Sequence, residues 1–146
     1  MNNRISIKDL EPEAYKAMMA LENYSANTQI NPTLKELIKI RASQINRCAY
    51  CLDMHTEDAL KEGESEHRIS LLSAWKESHL FSDQEKAVLQ LTEEITNISL
   101  AGVSDETYNR VLGHFEENMT AQLIMLIVLI NSWNRIAVST KMIFKK

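Results

Sequence analysis

Glycine and proline are scarce in this chain of 146 residues, which contains three glycines and two prolines. Loop-rich β folds and disordered chains need more of these residues, so their scarcity argues against both classes. The net charge is only −4, and no basic excess points to a nucleic-acid partner. The hydrophobic fraction of 45% is instead typical of a globular protein. The length predicts a single domain over residues 1–146.

Long hydrophobic segments are also missing. The longest uninterrupted apolar run covers residues 123–130, whereas a membrane-spanning helix needs about 18 or more apolar residues. Residues 1–7 lack the apolar core of a signal peptide. We therefore expect no membrane association and a cytoplasmic location. In that compartment a cysteine pair is more often catalytic or metal-binding than a structural disulfide.

The pattern of the sequence is helical almost throughout. No segment shows the alternation of a β-strand, so we predict an all-α fold of about six to seven helices. Starts are marked by Pro12, by Asn31 before Pro32 and by a capping box at Ser82. The predicted helices cover residues 12–28, 32–45, 46–62 and 120–144, with three more that start at Ser65, Ser82 and Ser104. Residues 1–10 are expected to form a loose arm.

The last predicted helix is apolar on every face between residues 123 and 130. A helix without a polar face must be covered on all sides. It is therefore either a central core helix or a helix that lies partly in a subunit interface.

The only two cysteines, Cys48 and Cys51, are three residues apart, and His55 follows four residues later. If the chain is helical from Arg47, with Asn46 as the cap, these three side chains share one face. The start of a helix favours a thiolate, and a histidine can accept a thiol proton. The cluster thus contains a nucleophile, a base and a second thiol.

Four interpretations compete for this cluster. We favour a dithiol redox or peroxidatic centre, in which a sulfenic acid condenses with the second thiol and an outside dithiol reduces the disulfide. A zinc site would need a second pair of ligands, and no other histidines are spaced as one. Two inert core thiols are the third alternative. A thioredoxin-type site is disfavoured because it follows a strand.

The segment from Glu36 to His55 resembles the alkylhydroperoxidase D-like (AhpD-like) branch of the carboxymuconolactone decarboxylase family. The family pattern is a glutamate twelve residues before Cys-x-x-Cys-x-x-x-His, and Glu36, Cys48, Cys51 and His55 match it. The later segment Asn131-Ser132-Trp133-Asn134-Arg135 is similar to that branch as well.

The resemblance implies an all-helical fold that assembles as a homotrimer or homohexamer. It also implies a thiol peroxidase that reduces hydrogen peroxide or small organic hydroperoxides. In this scheme Glu36 and His55 form a proton relay to Cys51, which is the peroxidatic thiol, and Cys48 is the resolving thiol. No cofactor is bound, and the reductant is an external dithiol, which in the best-known members is a lipoylated protein.

Two residues depart from the best-known peroxidases of this branch. Tyr50 stands where they have a histidine, and Arg47 stands where they commonly have glycine. Glu36 also needs the resemblance to stand out, because it lies opposite the apolar stripe of its helix. By periodicity alone it is a surface carboxylate, unless its face packs against the cysteine helix or a neighbouring subunit.

Two other functions remain open from the sequence. Decarboxylation of a γ-lactone acid, the reaction that names the family, uses acid–base groups and needs no paired thiols. A redox sensor or a binding module would be oxidised without turnover.

Overall fold

The computed structural model describes residues 4–144, and these form nine α-helices and a short 3-10 turn without any strand. The prediction of an all-α fold is confirmed. The helices are α1 (Ile7–Leu10), α2 (Pro12–Ala26), α3 (Pro32–Ile45), α4 (Ala49–Lys61), α5 (Glu66–Leu71), α6 (Asp83–Thr96), α7 (Ile98–Ala101), α8 (Asp105–Leu112) and α9 (Glu117–Thr140). The 3-10 turn covers Leu72–Ala74.

All seven predicted helices are present, and α1 and α7 are additional. Each of these two covers four residues, which is too short for a periodic pattern to identify. The prediction of a loose arm is wrong for α1, which Ser6 caps by accepting a hydrogen bond from the Asp9 N–H. Residues 1–3 of that arm lie outside the described residues.

The predicted helix ends are correct where local capping decides them. Asn31 caps α3 by accepting from the N–H groups of Thr33 and Leu34, and Ser82 forms a capping box with Glu85. Gly63 follows α4 with a left-handed φ of 95°. The last helix instead starts at Glu117, three residues earlier than predicted. It ends at Thr140, because Lys141 adopts a left-handed φ of 54°.

Helix α9 lies in the core. It packs against α3, α4, α6, α2 and α8, and its buried face includes Leu123, Leu126, Ile127 and Ile130. Its length and composition alone would allow it to cross a membrane, but half of that stretch is buried within the fold, as in the core helix of a soluble protein. Met125 and Val128 remain exposed. The role of this outer face in a subunit interface stays a prediction.

Candidate functional site

Cys48 and Cys51 lie at the start of α4, where they form a disulfide with a Cα–Cα distance of 5.3 Å. Both residues are buried. Cys48 is the N-cap of α4 rather than a residue of its first turn, and its Sγ accepts a hydrogen bond from the Cys51 N–H at 3.2 Å. The sulfur atoms therefore lie at the positive end of the helix dipole, which favours a thiolate in the reduced protein.

The prediction that Asn46 caps this helix is wrong. Asn46 ends α3, and its side-chain amide donates to Asn131 Oδ1 and Asn134 Oδ1, both at 2.9 Å. Asn134 in turn donates to Ser43 Oγ at 3.0 Å. Because these bonds join α9 to the turn before Cys48, they fix the position of the cysteine pair. In the sequence, the only indication of this contact was the presence of Asn131 and Asn134 in an otherwise apolar helix.

Arg47 forms the turn between α3 and the cysteine pair with a left-handed φ of 54°. A side chain in this conformation costs about 1–2 kcal/mol, whereas glycine adopts it freely. A glycine at this position, which the best-known peroxidases of the branch commonly have, would therefore avoid this conformational cost.

We expect Arg47→Gly to stabilise the protein by about 0.5–1 kcal/mol. Glycine relieves the backbone strain at this position, and this gain in free energy exceeds the cost of the entropy that glycine adds to the unfolded chain. Urea unfolding measures the change. Lys61→Gly serves as the control, since this exposed residue is helical and glycine there should destabilise the protein. Destabilisation by Arg47→Gly would contradict the strain.

Glu36 and His55 meet between α3 and α4. Glu36 is 7% exposed and His55 is 5% exposed, and His55 Nδ1 lies 3.1 Å from Glu36 Oε2. The face of α3 that carries Glu36, opposite the apolar stripe, therefore packs against the cysteine helix α4, as a proton relay between Glu36 and His55 requires. An ionised carboxylate only accepts hydrogen bonds, so the Nδ1–H of His55 is the donor. This tautomer leaves Nε2 as the nitrogen that can accept a proton.

The carboxyl group of Glu36 is favoured in its ionised form. Burial opposes ionisation, but the His55 hydrogen bond and the charge of Lys39 outweigh burial and hold the pKa of Glu36 below its usual value. An ionised carboxylate at this position orients the imidazole through the hydrogen bond to Nδ1. The pair thus has the chemistry of a base for a neighbouring thiol.

A cavity of about 460 Å³ opens beside this pair. Cys51 and His55 line it, whereas Cys48 is not among its lining residues within the described chain. The wall is largely apolar, and it includes the aromatic rings and thioethers of Tyr15, Tyr50, Trp133, Met19, Met54 and Met142. Residues 4–8, Glu22 and the α9 residues Ile136, Ala137 and Thr140 form the rest of the wall. A small apolar molecule in this cavity would reach Cys51 first.

Tyr50 packs against the ring of Phe144 at a centroid distance of 5.8 Å, in an edge-to-face arrangement. The ring of Tyr50 thus belongs to the apolar part of the cavity wall. Trp133 forms part of the cavity wall and donates from Nε1 to Glu22 Oε2 at 2.8 Å.

Glu36, His55 and Asp58 are the described residues whose side-chain oxygen and nitrogen atoms are close enough to share a metal ion, within 4.8 Å of one another. This group includes neither cysteine, so it does not complete a zinc site with the Cys-x-x-Cys pair. Its Glu36 and His55 atoms are already joined by a hydrogen bond.

Comparison with known proteins connects this site to a family. A sequence model of the Carboxymuconolactone decarboxylase family matches residues 12–94. The chain is 49% identical over 139 residues to the uncharacterized protein YdfG of Bacillus subtilis, with 95% of both chains covered. It is also similar to a protein of unknown function from Agrobacterium tumefaciens, described as a candidate antioxidant defence protein AhpD. That crystal structure shares 38% identity and a TM-score of 0.94, and the match covers 98% of both chains.

A further solved structure, of an uncharacterized peroxidase-related protein from Silicibacter sp. TM1040, shares 20% identity with a TM-score of 0.79. The match covers 91% of this chain and 71% of that one. At this identity the likeness shows the fold alone.

Proposed function

The chain belongs to the carboxymuconolactone decarboxylase family with an AhpD-like fold, and from this premise we propose that it is a thiol peroxidase. The substrate is a hydroperoxide, and the enzyme cycles between the Cys48–Cys51 disulfide and the dithiol. One observation carries the proposal: Cys51 lines an apolar cavity together with His55, and the Nδ1 atom of His55 is hydrogen-bonded to Glu36.

The cycle begins when His55 accepts the Cys51 proton. The thiolate attacks the terminal oxygen of the hydroperoxide, so an S–O bond forms while the O–O bond breaks. The alkoxide takes up the proton from His55 and leaves as an alcohol. Cys51 is now a sulfenic acid, and the Cys48 thiol attacks its sulfur, which forms the disulfide and releases water. An outside dithiol then reduces this disulfide by exchange and is itself oxidised to a disulfide.

The apolar wall of the cavity favours organic hydroperoxides as substrates over hydrogen peroxide, because burial of an apolar group against this wall stabilises the bound substrate. The electron donor in this proposal is an external dithiol, such as a lipoylated protein, and no cofactor is bound. The enzyme is a cytoplasmic homotrimer or homohexamer. Lactone decarboxylation is disfavoured because it gives the cysteine pair no task.

A coupled assay with dihydrolipoamide tests this function and its substrate preference. We expect kcat/KM for cumene hydroperoxide to exceed that for hydrogen peroxide by about tenfold, since burying the phenyl group contributes about 1.5–3 kcal/mol, part of which offsets the cost of ordering the substrate. Met54→Gln, which makes the wall polar at nearly constant volume, should reduce this preference. Turnover that persists after the thiols are alkylated would contradict the thiol mechanism.

A further inference from the structure

A second, polar cavity of about 280 Å³ adjoins the relay. His55 lines the apolar cavity and Glu36 lines the polar one, so the hydrogen-bonded pair connects the two. Glu22 lines both. The relay therefore has a side that faces substrate and a side that faces charged residues, and the mechanism above leaves the second side without a role.

Lys39 is the buried cation on this second side. It is 8% exposed, and its Nζ lies 3.5 Å from Glu36 Oε1 and 3.9 Å from Glu22 Oε1. A buried ammonium group is costly unless it is paired, so this position between two carboxylates is a specific arrangement. Glu22 is itself fixed by the hydrogen bond from Trp133.

The other charged groups around Glu36 do not replace this contact. Lys35 donates from Nζ to the Ser25 carbonyl at 2.7 Å, and burial is the main cause that lowers its own pKa. Asp58 Oδ2 lies 4.0 Å from His55 Nδ1. Charged and titratable groups face Glu36 from three helices. They are Glu22 of α2, Lys35 and Lys39 of α3, His55 and Asp58 of α4, and Glu62, the C-cap of α4. Within the described chain, Lys39 is the lysine in ion-pair contact with Glu36.

We propose that Lys39 is a positioning residue of the relay, which keeps Glu36 ionised and directed at His55 so that the pair can accept the Cys51 proton. This inference rests on the relay in the proposed function. A protonated Glu36 would hold His55 in place without stabilising its charged form. An opposite charge within about 4–6 Å typically lowers the pKa of a carboxyl group by about one to three. Lys39 meets that condition in a buried setting, where solvent screens it little.

The test follows the reactivity of Cys51 and needs no peroxide. In a Cys48→Ser background Cys51 is the sole thiol, and its alkylation by iodoacetamide is measured against pH. We expect Lys39→Met to move the acid side of this profile upward by about one pH unit, because Glu36 then stays protonated to higher pH. Lys39→Arg keeps the charge and should leave the profile close to that of the parent. Lys39→Gln gives the same comparison if the methionine variant does not fold.

Two further variants separate contact from general charge. Lys35→Met removes a lysine from the same cavity that does not contact Glu36, and its shift should be clearly smaller. In a Glu36→Gln background, Lys39→Met should cause no shift. An unchanged profile in Lys39→Met, an equal shift in Lys35→Met, or a shift that survives Glu36→Gln would each overturn the inference. An inactive wild type with these shifts present would contradict the peroxidase proposal and leave the role of Lys39 standing.

Discussion

Replacing Cys51 by serine is expected to reduce peroxide turnover to the uncatalysed level, while Cys48→Ser still reacts with one equivalent of hydroperoxide. The two cysteines share a disulfide and a buried cluster with Ala137, but they differ in their access to the apolar cavity. Cys51 lines the apolar cavity beside His55, whereas Cys48 caps the helix and is not among the lining residues of the described chain. A hydroperoxide in the cavity therefore meets Cys51, and without its sulfur no S–O bond can form.

The two variants give opposite results in a single-turnover experiment. Cys48→Ser should release a burst of about one alcohol per chain and retain a sulfenic acid at Cys51, which dimedone labels, because the resolving thiol is missing. Cys51→Ser should show neither the burst nor the label at Cys48. Equal turnover in wild type and Cys51→Ser would contradict the role of Cys51. A label at Cys48 would reverse the two roles.

His55→Asn is expected to lower kcat/KM at pH 7 by about 10²-fold or more, which is the usual contribution of a positioned general base. Asparagine keeps a polar side chain of similar reach but cannot take up the thiol proton. The loss should shrink as the pH rises past about 8.5, the ordinary pKa of a thiol, because the thiolate then forms without a base. A loss that is the same at every pH would indicate that His55 is only structural.

Two comparisons support this pH test. Glu36→Gln should cause a smaller loss, because the amide still accepts the Nδ1–H of His55 but carries no charge to stabilise the imidazolium. His67→Asn is the matched control, since His67 is exposed on α5, outside the cavity wall. It should leave the pH profile unchanged.

Local patterns in the sequence predicted most of the helices, because capping residues and apolar periodicity act within a few neighbours. Ser82 and Asn31 cap their helices through bonds to residues two or three positions away. The N-cap of α4 could not be found in this way. Asparagine is a stronger cap than cysteine, but the Asn46 amide bonds to Asn131 and Asn134, which lie far along the chain. A tertiary contact thus decided the local structure.

Glu36 shows the same limit at the candidate site. Its position off the apolar stripe of α3 is that of a surface residue, and only the resemblance selected it. Its burial follows from the packing of α3 against α4, which no pattern within α3 records. Lys39, three residues later on the same helix, was missed for this reason. An i,i+3 pair of opposite charges was its only signal in the sequence.

The most direct test of the central claim is a thiol count on the reduced protein before and after one equivalent of cumene hydroperoxide. The reduced chain has two thiols. The account predicts that both are lost while about one alcohol is formed per chain, and that a dithiol restores both. Two thiols that survive the hydroperoxide, or a loss that a dithiol does not reverse, would contradict it.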